Sequence, residues 1–353
     1  MRLQIEGTVR RDSGFTLSAN LDVEAQGVIA LVGKSGAGKS TLLRAIAGFE
    51  TGSDLSVRVD GESWDALPAH LRPVSTVFQE PRLFPHLDVA QNLSFALAHG
   101  NGDGVRLTLE EVIEFLDLAP LLAQRPAALS GGQQQRVAIG RALLSPAKLW
   151  LFDEPLSALD PAARREIAPY LGDLCRTHRV PIVYVTHSLP DVLHLADRVL
   201  VADAGKITSI DSLSEFSTSF SNPLLQDDEA GAIVACTFVR YDARYGLSEL
   251  RLGTTPLWVR GDLSSYEGDI KLHIPARDVS LAIEPIGRAS ILNRVPCVID
   301  ATEHEHGSVV VRLRCENQFL LARVTEMSAH DLGLVEGKEV QALVKSVALR
   351  NPR

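Results

Sequence analysis

Gly33-Lys34-Ser35-Gly36-Ala37-Gly38-Lys39-Ser40 follows the apolar run Gly27-Val28-Ile29-Ala30-Leu31-Val32 and precedes a helical pattern from about Lys39 to Gly48. A strand, a glycine-rich loop and a helix in that order gather backbone N–H groups at a helix start, where unsatisfied donors and the helix dipole favour an anion. The spacing G-x-x-x-x-G-K-S predicts that the anion is a nucleotide phosphate. The glycines let the loop bend around the β-phosphate, Lys39 brings a charge to the β and γ oxygens, and Ser40 offers a hydroxyl to Mg²⁺. Residues Gly33 to Ser40 and the adjoining Thr41 are the expected ATP-binding loop.

Three further apolar runs lie downstream, Val74-Ser75-Thr76-Val77-Phe78, Leu149-Trp150-Leu151-Phe152 and Pro181-Ile182-Val183-Tyr184-Val185, with helical patterns between them. Strands alternating with helices predict a mainly parallel, helix-covered sheet. The second run ends in Asp153-Glu154. Burying its apolar residues in a parallel sheet carries both carboxylates to the carboxyl edge, where open α/β sheets bind ligands. Asp153 is placed to hold Mg²⁺ through water, and Glu154 to polarise the attacking water as general base.

Leu129-Ser130-Gly131-Gly132-Gln133-Gln134-Gln135-Arg136 precedes an amphipathic pattern over 137–144. This LSGGQ stretch resembles the signature of the ATP-binding-cassette ATPases. Two glycines and Ser130 at a helix start again favour an anion. Because the chain already holds phosphate with its own loop, Ser130, Gly131, Gly132 and Gln133 are expected to serve the nucleotide of a second copy, so that a homodimer sandwiches two ATP molecules head to tail. Other family elements follow in order. Gln79 resembles the glutamine that touches Mg²⁺ and the attacking water, so Ser40, Gln79 and Asp153 form the implied Mg²⁺ set. Leu156-Ser157-Ala158-Leu159-Asp160 resembles the loop that crosses between subunits, and His187 resembles the switch histidine that senses the γ-phosphate. Glu154, His187 and Gln79 are thus the implied catalytic set. The family's adenine-stacking aromatic has no clean match; Phe15 is the nearby candidate and reads as a core residue.

The resemblance implies an α/β P-loop NTPase cassette over 1–228, with a mainly parallel core sheet, an antiparallel β subdomain and a helical subdomain. The Ser-rich, acidic stretch 211–228 reads as a linker. Beyond it, period-2 alternation and turn glycines predict all-β structure. The segment Ala235-Cys236 … Leu250-Arg251-Leu252 … Leu257-Trp258-Val259 … Ile270-Lys271-Leu272 … Asp278-Val279-Ser280-Leu281 runs parallel to Pro296-Cys297 … Val311-Arg312-Leu313 … Leu320-Leu321-Ala322 … Val340-Gln341-Ala342 … Ser346-Val347-Ala348-Leu349. Two related β modules, 229–288 and 289–353, are therefore expected to form an OB-like, duplicated C-terminal domain.

The whole-chain figures bound the reading. The chain has 353 residues, 45% of them apolar, and a net charge of −9. That charge argues against a broad phosphate-backbone footprint, so nucleic acid is not an expected partner. No window holds the roughly 18 consecutive apolar residues of a spanning helix, and Met1–Arg11 lacks a secretory signal core. The expected location is the cytoplasmic face of the cell (inner) membrane, held there peripherally. Cys175, Cys236, Cys297 and Cys315 form no CxxC pair and read as buried, reduced thiols.

Pro81-Arg82-Leu83-Phe84-Pro85-His86-Leu87 resembles the segment by which importer cassettes receive a short helix from a membrane-spanning permease dimer. Residues from about 289 to 350 resemble the small β domain of molybdate-binding proteins, and the chain as a whole resembles the ATP-binding subunits of molybdate importers. That implies an external molybdate-binding protein as a further partner, and molybdate or tungstate as a regulatory ligand at Ser290, Asn293, Lys345 and Ser346. The residues alone leave two other readings open: the ATPase of a sulfate, iron or sugar importer, and a soluble cassette switch without a membrane partner.

Overall fold

The computed structural model describes residues 1–346 apart from 12–13, 51–53, 100–103, 211, 267 and 306. The final stretch of the internal repeat, Val347-Ala348-Leu349, lies outside the described residues. The chain divides into two compact units, Met1–Asp211 and Ser212–Arg353.

The first unit contains β1 (Arg2–Arg10), β2 (Thr16–Glu24), β3 (Val28–Gly33), α1 (Lys39–Ile46), β4 (Ser56–Val59), β5 (Glu62–Ser63), β6 (Val74–Val77), α2 (Val89–His99), α3 (Leu109–Phe115), α4 (Gly131–Leu144), β7 (Leu149–Asp153), α5 (Pro161–His178), α6 (Leu189–Leu195), β9 (Arg198–Asp203) and β10 (Lys206–Ile210), with β8 (Ile182–Val185) lying between α5 and α6. Its strands form one sheet in the order β5-β4-β1-β2-β10-β9-β3-β8-β7-β6. From β9 to β6 the neighbours run parallel. Their side chains are buried on both faces, as the unbroken apolar runs require: every residue of β3 and β8, and the first four of β7. The other end is an antiparallel wing in which β2 alternates exposed and buried positions along its length, the pattern of a sheet with one wet face.

α2, α3 and α4 form the helical part around Leu93, Val112, Leu116, Ile139 and Leu143. α4 begins at Gly131, ahead of the 137–144 span read from periodicity. Its polar first turn lacks the apolar stripe that signals a helix, but Ser130 and Gln133 close a reciprocal capping box that satisfies its first donors. α1 ends at Ile46, and the chain turns at Gly48 with φ 82°.

The second unit holds α7 (Leu213–Thr218), β11 (Gly231–Asp242), β12 (Leu247–Leu252), β13 (Thr255–Arg260), β14 (Ile270–Pro275), β15 (Val279–Ala282), β16 (Asn293–Glu305), β17 (Ser308–Cys315), β18 (Gln318–Thr325), α8 (Glu326–Asp331) and β19 (Glu339–Val344). Two sheets repeat one order, β13-β12-β11-β14 and β18-β17-β16-β19, and β15 joins the second beside β19. The duplication extends to irregularities: the β11–β12 ladder shifts register between Phe238 and Arg240, and the β16–β17 ladder between Ile299 and Ala301. These sites share the alignment that pairs Cys236 with Cys297. Such bulges redirect strands in a defined way, so their match reflects common architecture. β15 lies in the span of the first module yet pairs with a strand of the second, so the modules are not closed at 288.

The linker reading of 211–228 is corrected. Ser212 caps α7, Ser214 donates to the Ile233 carbonyl, Ser217 accepts from the Ile233 N–H, and Phe216 is fully buried. Serines that resemble linker composition are here spent on a helix cap and on strand β11. These residues pack with the second unit, whose contact boundary falls after Asp211 rather than at 228. All four cysteines are buried and free, with Cys297 and Cys315 facing each other across β16 and β17 at 3.0 Å between sulfurs.

Candidate nucleotide site

The loop that leaves β3 passes so close to β9 that a Cβ on Gly33 would lie 2.3 Å from the Ala202 carbonyl oxygen. Only glycine fits there. Gly38 caps α1 at φ 105°, with a hypothetical Cβ 2.7 Å from Leu17 and 3.0 Å from the ring of Phe15. Phe15 is half-buried and packs against the core beside this loop, as its reading as a core residue expected. Lys34, Ser35 and Gly36 are exposed, and the Ala37 N–H closes a turn onto the Lys34 carbonyl.

Lys39 is 9% exposed and donates to the carbonyls of Gly33 (2.8 Å) and Lys34 (3.0 Å). Burial pulls its ammonium below the ordinary lysine range, and the carboxylates of Glu154 and Asp153 oppose that shift. The loop therefore holds a desolvated cation on weak neutral acceptors, an arrangement in which an arriving phosphate gains more than it would from an exposed lysine. Ser40 follows, its hydroxyl near enough to Asp153 to favour the charged carboxylate, and Thr41 is buried.

The parallel register fixes the rest. Leu31 pairs with Val185 of β8, and Val185 with Asp153 of β7, so three strand ends reach one edge together. Asp153 is pushed above the ordinary carboxylate range, first by burial and then by the charge of Glu154; the neighbouring Ser40 hydroxyl and Lys39 act in the other direction. Glu154 takes a left-handed backbone at φ 49°, held by its N–H to the Val185 carbonyl (3.1 Å) and by Ser157, which donates to the Glu154 carbonyl from both N–H and hydroxyl. A non-glycine residue in that region costs energy and persists where its surroundings over-determine it. The turn aims the carboxylate at His187, whose Nδ1 lies 3.2 Å from Glu154 Oε1. Gln79 is exposed two residues past β6, and the pairing of Val77 with Phe152 carries it to the level of Glu154.

Ser130 is exposed at the start of α4. Its hydroxyl accepts from the Gln133 N–H (3.3 Å), and the Gln133 side-chain carbonyl accepts from the Ser130 N–H (2.9 Å). The hydroxyl can still donate. Among the described residues no hydrogen bond joins Ser130, Gly131, Gly132 or Gln133 to the loop Gly33–Thr41, so within one chain the signature is a separate donor cluster. The loop Leu156–Asp160 ends at Asp160, whose carboxylate caps α5 through the N–H groups of Ala162 and Ala163.

In the second unit, Asn293 and Ser346 come together: Asn293 Nδ2 lies 3.4 Å from Ser346 Oγ. Most of the Asn293 amide is spent elsewhere, accepting from the Trp258 N–H (2.7 Å) and donating to the Trp258 carbonyl (3.0 Å). Ser290 and Lys345 are exposed, and no hydrogen bond ties them to this pair among the described residues. Trp258 was not singled out for this cluster in the sequence, because its contact is made by backbone atoms that leave no side-chain signal.

A cavity of 290 Å³ opens beside the segment Pro81–Leu87, lined by Phe84, Phe95, His99 and Arg141 among others. Phe84 packs on Phe95 at 4.5 Å, Phe95 stacks on His99 at 4.1 Å, and the Arg141 guanidinium lies 4.9 Å from the Phe84 ring centre. Buried Asn92 fixes the loop by bonding both backbone groups of Phe84 and the carbonyls of Leu87 and Asp88.

The ABC transporter family profile matches residues 17–157, and the TOBE domain profile matches 289–350. A molybdenum import ATP-binding protein (ModC) of Aromatoleum aromaticum is 40% identical over 343 residues, covering 95% of this chain and 91% of the relative. The protein of the same name from Thiobacillus denitrificans is 40% identical over 342 residues, covering 95% and 94%. A dimeric post-hydrolysis structure of the ATP-binding cassette MJ0796 with ADP and Pi superposes with a TM-score of 0.51 at 25% identity, covering 60% of this chain and 97% of that one. The chain belongs to the family of molybdenum import ATP-binding proteins, built on an ABC transporter cassette with a TOBE domain.

Proposed function

We propose that this chain hydrolyses ATP to energise import of molybdate through a membrane-spanning partner. The observation that carries the reading is the convergence of Lys39, Asp153, Glu154 and His187 on one sheet edge, in a chain related over 95% of its length to molybdenum import ATP-binding proteins.

Phosphate oxygens replace the Gly33 and Lys34 carbonyls on Lys39. Glu154 accepts the proton of the attacking water, and His187, with Nδ1 at 3.2 Å from that carboxylate, holds it in register; a ring protonated on both nitrogens donates Nε2–H to the γ-phosphate. Ser40, Asp153 and Gln79 offer the hard oxygen donors that suit Mg²⁺, with the Ser40 hydroxyl near the Asp153 carboxylate. When bound, Mg²⁺ supplies positive charge to the β and γ oxygens. Ser130–Gln133 serve the nucleotide of a second copy, which the dimeric cassette relative supports. ATP closes two cassettes and hydrolysis reopens them, so the differential affinity of the closed state for ATP drives the transport step.

The cavity beside Phe84 and Phe95 accommodates a short segment of the permease. No helix among the described residues is long and apolar enough to cross a membrane, in keeping with a peripheral subunit at the cytoplasmic face whose passage for the anion lies in a partner. An external molybdate-binding protein delivers the anion to that partner. The C-terminal modules take molybdate or tungstate as a regulatory ligand near Asn293 and Ser346, with Ser290 and Lys345 reaching it from the surface. A doubly charged tetrahedral ion wants neutral donors and few full charges; the hydroxyls of Ser290 and Ser346 are such donors, while Asn293, bonded to Trp258, holds Ser346 in place.

Glu154→Gln is expected to retain ATP binding and lose turnover by roughly 10²–10⁴-fold, the range for removal of a general base, in steady-state hydrolysis by the full chain. Cells dependent on the chain are expected to lose labelled molybdate uptake with that variant; uptake competed away by sulfate rather than by tungstate would move the substrate to another importer class. Titration calorimetry of the full chain is expected to give heat with molybdate and tungstate but none with sulfate, and Asn293→Ala is expected to abolish it. Unchanged heats in Asn293→Ala would remove the regulatory site from these residues.

A further inference from the structure

Asp191 sits in the first turn of α6, 3% exposed, and is used by none of the steps above. Its Oδ2 accepts from the hydroxyls of Tyr184 and Thr186, both at 3.2 Å. Thr186 immediately precedes His187, and its hydroxyl oxygen also accepts from the Ser188 N–H at 2.9 Å. Ser188 in turn accepts the Asp191 N–H, closing a ring of bonds around the histidine's backbone. The other carboxylate oxygen, Oδ1, lies 3.4 Å from Nε of Arg164, a buried nitrogen that has no hydrogen-bond partner among the described residues. Arg164 belongs to the first turn of α5, the turn capped by Asp160 at the end of the loop Leu156–Asp160.

Asp191 thus touches the chain on both sides of His187, by its carboxylate to Thr186 and by its backbone N–H to Ser188, and its carboxylate also reaches the start of the helix that follows the loop Leu156–Asp160. The bonds are of unequal quality. The Thr186 contact has normal geometry, whereas the Arg164 contact is long and leaves a buried guanidinium donor incompletely satisfied, a situation that costs free energy until it is relieved. A small advance of the α5 start would shorten that contact. Because a packed core deforms between discrete arrangements rather than continuously, the same advance would act on Thr186 through the shared carboxylate.

We infer that Asp191 is a positioning residue that couples the Leu156–Asp160 loop to His187 through Arg164 and Thr186. The inference rests on the role given to His187 in the proposed function. It assigns Asp191 no contact with nucleotide. Engagement of the loop by a second copy pulls Arg164 onto Asp191, and Asp191 sets the Thr186–Ser188 backbone so that the imidazole meets Glu154 in the hydrolytic geometry.

The test compares the full chain with Thr186→Val, Asp191→Asn, Arg164→Gln and the Thr186→Val/Asp191→Asn double variant, with His187→Ala as a control. Steady-state hydrolysis, binding of trinitrophenyl-ATP and thermal melting are measured for each. Misplacing a reacting group by a fraction of an ångström is expected to lower kcat by about tenfold or more while the nucleotide affinity stays within about twofold of the parent. The double variant is expected to lose no more than the worse single one, as residues acting through one path do. A purely structural role would instead lower the melting temperature and weaken nucleotide binding, with kcat of the folded fraction unchanged, and would overturn the inference. So would losses that multiply in the double variant. If Asp191→Asn does not fold, Thr186→Val, which removes one hydroxyl at constant shape, decides the matter with Arg164→Gln. Parent-level turnover in His187→Ala would sink the reading of His187 itself; loss there with parent-level turnover in Thr186→Val and Arg164→Gln would sink only this inference.

Discussion

The hydrogen-bonded register of three parallel strands is the constraint on which the site depends. β3 delivers the phosphate loop, β7 delivers Asp153 and Glu154, and β8 delivers Thr186 and His187, and the pairings Leu31 with Val185 and Val185 with Asp153 bring the three ends level. Two backbone bonds extend that register past the strands: the Glu154 N–H to the Val185 carbonyl, and the Thr186 N–H to the Leu31 carbonyl. A slip of one residue in any of the three would turn its apolar side chains to the opposite face of the sheet and take a candidate site residue from the edge. Because each strand is buried on both faces, hydrophobic burial and backbone pairing enforce one arrangement together.

Electrostatics at that edge follows from burial more than from pairing. Lys39 and Asp153 are both displaced toward their neutral forms by desolvation, each partly restored by the other's charge. Such a site is poorly satisfied when empty, since only neutral carbonyls hold the ammonium. A nucleotide polyanion would supply the charge that Lys39 lacks, relieving a cost built into the fold.

Much of this was legible in the sequence because its signals are local. The phosphate loop announces itself through glycines at fixed offsets, and the carboxylate pair through an apolar run that stops abruptly at Asp153. The start of α4 was misplaced because a polar first turn has no hydrophobic period, although Ser130 and Gln133 at a spacing of three are themselves a capping signal. The stretch 211–228 was misread because composition cannot distinguish a serine in water from one that caps a helix or bonds a strand. In the C-terminal unit the duplicated strands were visible as repeated apolar pairs. The crossing of β15 into the second sheet was not, since strand partnership is a long-range property. Asp191 left no trace either: in Ser188-Leu189-Pro190-Asp191 it looks like an ordinary acidic residue in a helix's first turn.

The central claim is that the nucleotide lies between two copies of this chain, with Lys39 of one and Ser130 of the other on the same phosphates. Cysteines at the exposed positions Ser35 and Ser130, in a Glu154→Gln background that holds ATP, test it directly with a short bis-thiol cross-linker, because the four native cysteines are buried. The account predicts a covalent dimer that forms with ATP and fades without it, and that requires the two cysteines to lie on different polypeptides when singly substituted chains are mixed. Cross-linking confined within one chain, or dimer formation indifferent to nucleotide, would contradict it.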